Sequence, residues 1–278
     1  MKPRAGHGFH AWRSAAVGLL CCALLTAPAA PAAESQNAAA AASAPAVLLE
    51  LFTSQGCSSC PPADRLLSSL GSMPELQTQV FALAFHVDYW NQLGWKDPFS
   101  QHRWSERQQS YTRAGWSGRV YTPQMVIQGQ AECVGSDREA VLAAIARARS
   151  QAPAARLELA AEWDQRQPER LAVRLKARML RDLKRGELQA FAAVFENGLI
   201  TGVGSGENAR RTLENDYVVR RLEPLFTIDA TAGSEQAAAK VVELAPDWNL
   251  RQLGVAAFLQ DPDTLRIHTA TASALSIR

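Results

Sequence analysis

The sequence predicts an α/β region followed by an antiparallel β-rich region. Three observations carry that expectation. The stretch 47–70 reads as an apolar strand, a polar turn, a C-x-x-C and then an amphipathic helix. A second apolar run at 80–87 follows that helix, which implies a parallel strand–helix–strand unit. Beyond Pro153 the apolar residues recur at every second position, the period of a half-buried strand.

The first strand is Val47-Leu48-Leu49-Glu50-Leu51-Phe52, and Thr53-Ser54-Gln55-Gly56 is its turn. In the helix after Cys57-Ser58-Ser59-Cys60, Leu66, Leu67 and Leu70 share a face and Gly71 is the stop signal. The second strand ends at Asp88 and is followed by an aromatic segment from Tyr89 to Trp95. Asp97-Pro98 reads as a cap and first-turn proline for a helix reaching Arg113, with Trp104, Gln108 and Tyr111 on one side. Tyr121-Thr122-Pro123-Gln124 leads into a short hairpin whose return strand carries Cys133. Ser136-Asp137-Arg138-Glu139 reads as a capping box, with Val141, Leu142, Ile145 and Ala148 inside the helix it opens. This element order predicts a thioredoxin-like domain over 47–150. Strands are expected near 171–176, 188–195, 217–222, 240–244, 255–259 and 265–269, arranged as a β-sandwich-like domain over 154–278.

The first 32 residues read as a signal peptide: Lys2, Arg4 and Arg13 form a charged region, and an apolar stretch of about a dozen residues precedes small-residue cleavage sites. Residues 33–46 are Ala-rich and read as a linker. The expected product is exported, periplasmic or secreted, with no membrane span after cleavage. Removing a leader with three bases and no acid takes 29 bases to 26 against 27 acids. A near-neutral chain gives no electrostatic support for a nucleic-acid partner.

The mature chain keeps Cys57, Cys60 and Cys133. A C-x-x-C where a strand meets a helix is the mark of a redox dithiol. Two intervening residues let both sulfurs lie in the first helical turn. The first then faces solvent beside unpaired N–H groups, which favour its thiolate. Pro61 and Pro62 suit that first turn. Cys57 is therefore the expected nucleophile and Cys60 the resolving thiol.

Five further readings concern residues outside the C-x-x-C. Pro123 after Thr122 is expected as a cis-proline facing the dithiol and presenting a backbone edge to a substrate. Glu50 is a buried carboxylate that could take the Cys60 proton; its alternative is a satisfied structural acid. His86, Trp90 and Trp95 could line a substrate rim, or simply pack the core and cap a loop. Cys133 reads as a small buried hydrophobe, with a regulatory partner for the Cys57–Cys60 pair as the alternative, and Gly202-Val203-Gly204-Ser205-Gly206 reads as a loop, because no helix follows it as in a dinucleotide site.

The run Glu50-Leu51-Phe52-Thr53-Ser54-Gln55-Gly56-Cys57-Ser58-Ser59-Cys60-Pro61-Pro62-Ala63-Asp64 is long and specific. With His86-Val87-Asp88-Tyr89-Trp90, Leu93-Gly94-Trp95 and Tyr121-Thr122-Pro123-Gln124, it resembles an uncharacterised family of secreted bacterial proteins, the twelve-twenty-three domain of unknown function. The resemblance extends to Gly206-Glu207-Asn208, Val218-Val219-Arg220 and the final strands. It implies a thioredoxin-like domain with an appended β-rich region and no established reaction. Thioredoxins proper carry Trp before the first Cys and Gly-Pro between the pair. Gly56 and Ser58-Ser59 stand there instead, which leaves the direction of electron flow open.

The functional expectation is thiol–disulfide exchange on a protein or small-molecule substrate, with an unidentified redox partner and no cofactor. A non-catalytic envelope binding protein is the alternative, and a loop covering the C-x-x-C would favour it. A copper- or zinc-handling site built on Cys57, Cys60 and His86, with Cys133 as a possible further ligand, is a third reading. It lacks the second C-x-x-C that a tetrahedral zinc site commonly uses.

Overall fold

The structure is a computed structural model that describes residues 46–277 apart from 74, 75, 77, 78, 117 and 185. The expected signal peptide, and the expected linker up to residue 45, lie outside the described residues. The chain runs β1 (Val47–Thr53), α1 (Pro61–Ser72), β2 (Val80–His86), α2 (His102–Arg113), β3 (Gln124–Ile127), β4 (Ala131–Val134) and α3 (Arg138–Arg149). It continues through β5 (Ala155–Trp163), β6 (Arg170–Met179), β7 (Glu187–Glu196), β8 (Leu199–Gly202), β9 (Thr212–Asn215) and β10 (Val218–Asp229). The last strands are β11 (Glu235–Glu243), β12 (Leu253–Gln260), β13 (Ile267–Ala274) and β14 (Ser276–Ile277). One eight-stranded sheet has the order β13-β12-β7-β10-β2-β1-β3-β4; a second is β11-β6-β5-β14, and β8 and β9 form a separate hairpin. The protein is mixed α/β, with a large, mostly antiparallel sheet and few helices.

β1 and β2 are parallel, in register from Val47↔Val80 to Thr53↔His86, and β3 is antiparallel to β1. β1 is buried along its whole length, as a central strand covered on both faces must be. On one face Leu49 and Leu51 share a core with Leu66, Leu67 and Leu70 of α1 and Val141 and Ile145 of α3. On the other, Leu48 and Phe52 join Trp104 and Tyr111 of α2 with Phe195, Val219 and Phe258 from the second half of the chain.

That second core means that the expected boundary near Pro153 is a change of strand pattern, not a division between cores. All described residues fall within one compact unit. β10 runs parallel to β2 at Val218↔Ala84, and the Ala84 N–H donates to the Tyr217 carbonyl at 2.8 Å. This pairing covers an edge of β2 that would otherwise carry unpaired backbone groups.

The six strands expected beyond Pro153 appear as β6, β7, β10, β11, β12 and β13. β5 was not expected, because Ala160-Ala161 blurs its alternation, and β8, β9 and β14 are too short to show a period. The second helix begins at His102 rather than at Asp97-Pro98, because the Asp97 carboxylate is committed elsewhere in the core. The cap of α3 is Asp137 alone, accepting from the Ala140 N–H at 3.0 Å.

A fragment starting at Ala154 would expose the faces of β7, β10 and β12 that pack against α2 and β1. It should fail to unfold cooperatively when expressed alone. A fragment with a sharp thermal transition by circular dichroism would show that the two halves are independent.

Candidate functional site

β1 delivers the chain to a turn at 54–60, and α1 carries it away. Cys57 and Cys60 form a disulfide across this turn, with their Cα atoms 5.4 Å apart. Cys60 is the N-cap of α1, and Pro61 and Pro62 occupy its first two positions. Cys57 precedes the helix, its N–H donating to the Ser54 carbonyl at 3.1 Å.

Contrary to the expected solvent-facing sulfur, both cysteines are fully buried, while Ser58 and Ser59 are exposed. The cover is the loop 203–211 between β8 and β9. Buried Asn208 donates through Nδ2 to the carbonyls of Gln55 (2.8 Å) and Cys57 (2.9 Å). Glu207 accepts from the Ser58 N–H at 3.0 Å. The expected surplus of N–H groups beside Cys57 is thereby reduced. Ser58 has given its donor to Glu207, and prolines have none to give. The Ser59 hydroxyl, 3.3 Å from the Cys57 sulfur, remains close.

Beneath the turn lies a buried polar network that the sequence reading missed in part. Asp64 sits one turn beyond Cys60, and its N–H donates to the Cys60 carbonyl at 3.1 Å. Its Oδ1 accepts from the Thr53 hydroxyl at 2.8 Å. Burial pushes the Asp64 carboxyl up to about 6, although the nearby His86 pulls it back. His86 is also buried, with Nδ1 2.7 Å from Asp97 Oδ2. Burial opposes its charged form, but the charge and hydrogen bond of Asp97, with Asp64, outweigh burial and raise its pKa. Asp97 feels the same burial, and His86 with the N–H groups of Gln55 and Phe99 holds its carboxyl below the ordinary value. Among the described residues His86 Nε2 has no hydrogen-bond partner. The only available signal for Asp64 was its i+4 spacing from Cys60 on the buried face of α1.

The remaining site residues divide. The Thr122–Pro123 bond is cis. Pro123 approaches α1 at Gly135, where an added Cβ would meet Leu51 at 2.7 Å, Ala63 at 3.1 Å and Pro123 at 3.3 Å. Thr122 accepts from Trp90 Nε1 at 2.8 Å, and Trp90 packs against Gly56, where an added Cβ would lie 3.1 Å from its own Cβ. Trp95 Nε1 donates to Gln55 Oε1 at 3.3 Å. These residues brace the dithiol turn, whereas His86 lies in the core rather than on a rim. Glu50 points away from α1. Its carboxylate pairs with Arg107 Nε at 2.7 Å and with the Tyr111 hydroxyl, so it is a satisfied structural acid. Cys133 packs beside the first core, and burial pushes its thiol up to about 11. Among the described residues no group of three or more His, Cys, Asp or Glu is placed to hold a metal ion. No described helix is long and apolar enough to cross a membrane.

The family profile described as "Protein of unknown function (DUF1223)" matches residues 48–260. The chain belongs to this family. A crystal structure of an Agrobacterium tumefaciens protein aligns at 24% identity over 82% of this chain and 92% of that one, with a TM-score of 0.58. HBP35 of Porphyromonas gingivalis aligns at 14% identity over 83% and 75%, with a TM-score of 0.63. Both likenesses show the fold. No curated protein matches the chain.

Two substitutions separate the acids. Glu50→Gln breaks a buried pair and should cost about 3 kcal/mol of stability while leaving the pH profile of Cys60 alkylation unchanged. A shifted profile would return Glu50 to the site. Asp64 behaves differently with pH. Its raised pKa means that the folded state holds the proton more tightly. The corresponding stability is present below pH 4 and is lost as pH rises through about 6. Asp64→Asn removes this loss, so the variant should gain up to about 3 kcal/mol on the wild type between pH 4 and 7. Urea midpoints at those two pH values would measure the gain, and a constant difference would mean that Asp64 titrates normally.

Proposed function

We propose that this protein is an exported thiol–disulfide exchange protein acting on protein or small-molecule disulfides, with no cofactor. The carrying observation is the Cys57–Cys60 disulfide at the start of α1 with Asp64 buried one turn beyond Cys60. The arrangement of β1, β2, β3 and β4 with α1 and α3 supports a thioredoxin-like reading of the first half, and the second sheet packed on the β7–β12 side supports a sandwich-like second half. The apolar leader expected at 15–27 supports export to the periplasm or beyond.

In the reduced protein, the Cys57 thiolate attacks one sulfur of the substrate disulfide. That bond breaks, and one substrate thiolate leaves. Cys60 then gives its proton to the Asp64 carboxylate and attacks Cys57 in the mixed disulfide. The Cys57–Cys60 bond forms and the second substrate thiolate departs. The same steps reversed oxidise a dithiol substrate. An acid near pH 6 is matched to proton traffic at neutral pH. Pro123 and Thr122 would offer the backbone edge against which a substrate segment lies.

A second reading, a non-catalytic envelope binding protein, is favoured by the loop 203–211 lying on the disulfide.

Single-cysteine variants test the exchange reading. Cys60→Ser should accumulate mixed disulfides with partners on non-reducing gels, because nothing resolves them, and Cys57→Ser should capture none. Capture by Cys57→Ser alone would reverse the roles. Capture by neither would favour the binding reading.

A further inference from the structure

Among the described strands, β8 and β9 pair with each other and belong to neither larger sheet. Its loop can therefore move without breaking a ladder of the main fold. In this structure the loop is fastened to the dithiol turn. Asn208 holds the carbonyls on either side of Gly56, and Arg211 Nη1 donates to Asn208 Oδ1 at 3.0 Å, which sets the amide's orientation. Glu207 holds the Ser58 N–H, and the Ser205 hydroxyl donates to the Gly94 carbonyl. Gly206, at φ +74°, lies against Trp95, where an added Cβ would meet the Trp95 Cβ at 3.0 Å.

We propose that Asn208 and Glu207 form a clasp that selects the partners of the Cys57–Cys60 disulfide, excluding free small thiols and yielding to a polypeptide segment. The proposal rests on the exchange reading of the same site. Opening the clasp exposes the carbonyls of Gln55 and Cys57 and the N–H of Ser58. The N–H and C=O groups of an extended polypeptide can pair with all three, so it can replace the clasp without leaving them bare. A small thiol without peptide groups, such as dithiothreitol, has no amide N–H or C=O to offer them. The Glu207 carboxylate also occupies a donor next to Cys57. Hydrogen bonds from Ser58 hold its carboxyl below the ordinary value, so it stays charged at neutral pH and opposes a thiolate there.

The test is the rate at which dithiothreitol reduces the disulfide in the folded protein, followed by acid quench, alkylation and mass spectrometry. Dithiothreitol gives two electrons and two protons as its thiols close to a cyclic disulfide, and Cys57 and Cys60 take them up as two thiols. Asn208→Ala removes two hydrogen bonds and should be reduced about tenfold faster than wild type. Glu207→Gln, an exposed change, should be reduced a few-fold faster. Wild type unfolded in guanidinium should be reduced far faster than the folded protein. The clasp is overturned if both folded variants match wild type, or if folded and unfolded wild type react alike. If Asn208→Ala does not fold, Glu207→Gln and the folded–unfolded comparison decide. Faster reduction of the variants, combined with no partner captured by Cys60→Ser in either background, would keep the clasp and sink the exchange reading.

Discussion

A dithiol turn withdrawn from water must find a partner for each of its polar groups, because a buried donor or acceptor left bare costs about 1–3 kcal/mol. Most of the site follows from this requirement. The Gln55 N–H goes to Asp97, its side-chain amide to Thr201 and Asn215, and its carbonyl to Asn208. The Gly56 N–H goes to the Ser54 hydroxyl and the Cys57 N–H to the Ser54 carbonyl. Partners come from the segment after β2 and from the hairpin more than 140 residues later in the chain, so the turn is assembled only when both are in place.

The same demand ties the two halves of the protein together. β10 closes the edge of β2, and residues of β7, β10 and β12 fill the core opposite α1. The hairpin emerges between β7 and β10, so joining the sheets also brings its loop to the disulfide. A fold that merely appended a sandwich to an α/β unit would leave the C-x-x-C open. This one covers it.

Acid chemistry in the site divides by environment. Glu50, on a central strand, meets a guanidinium and a phenol and is spent on structure. Asp64 meets the Thr53 hydroxyl at hydrogen-bond distance and His86, Asp97 and Arg65 at longer range, so burial governs it and raises its carboxyl to about 6. Both are buried carboxylates near the cysteines in sequence. The difference lies in which face of β1 each one serves.

Local signals made much of the protein legible. Apolar runs marked β1, interrupted by Glu50, and β2, period two marked β6, and the C-x-x-C before two prolines marked the start of α1, because these features are written in neighbouring residues. The cis Thr122-Pro123 bond was also within reach of local reading. Three things were not. The loop at Glu207-Asn208 looks like any Gly-rich turn until the hairpin meets Gln55 and Cys57. Asp97 looks like a helix cap until the strand end brings His86 to it. Asp64 looks like an ordinary first-turn acid until the sheet seals it from water. Sequence alone determined the three helices, most of the longer strands and the place of the C-x-x-C between β1 and α1, because periodicity and turn chemistry act over a few residues. Only the tertiary structure decided that the dithiol is covered and which acid lies beneath it, because burial and long-range hydrogen bonds exist only once distant segments have packed.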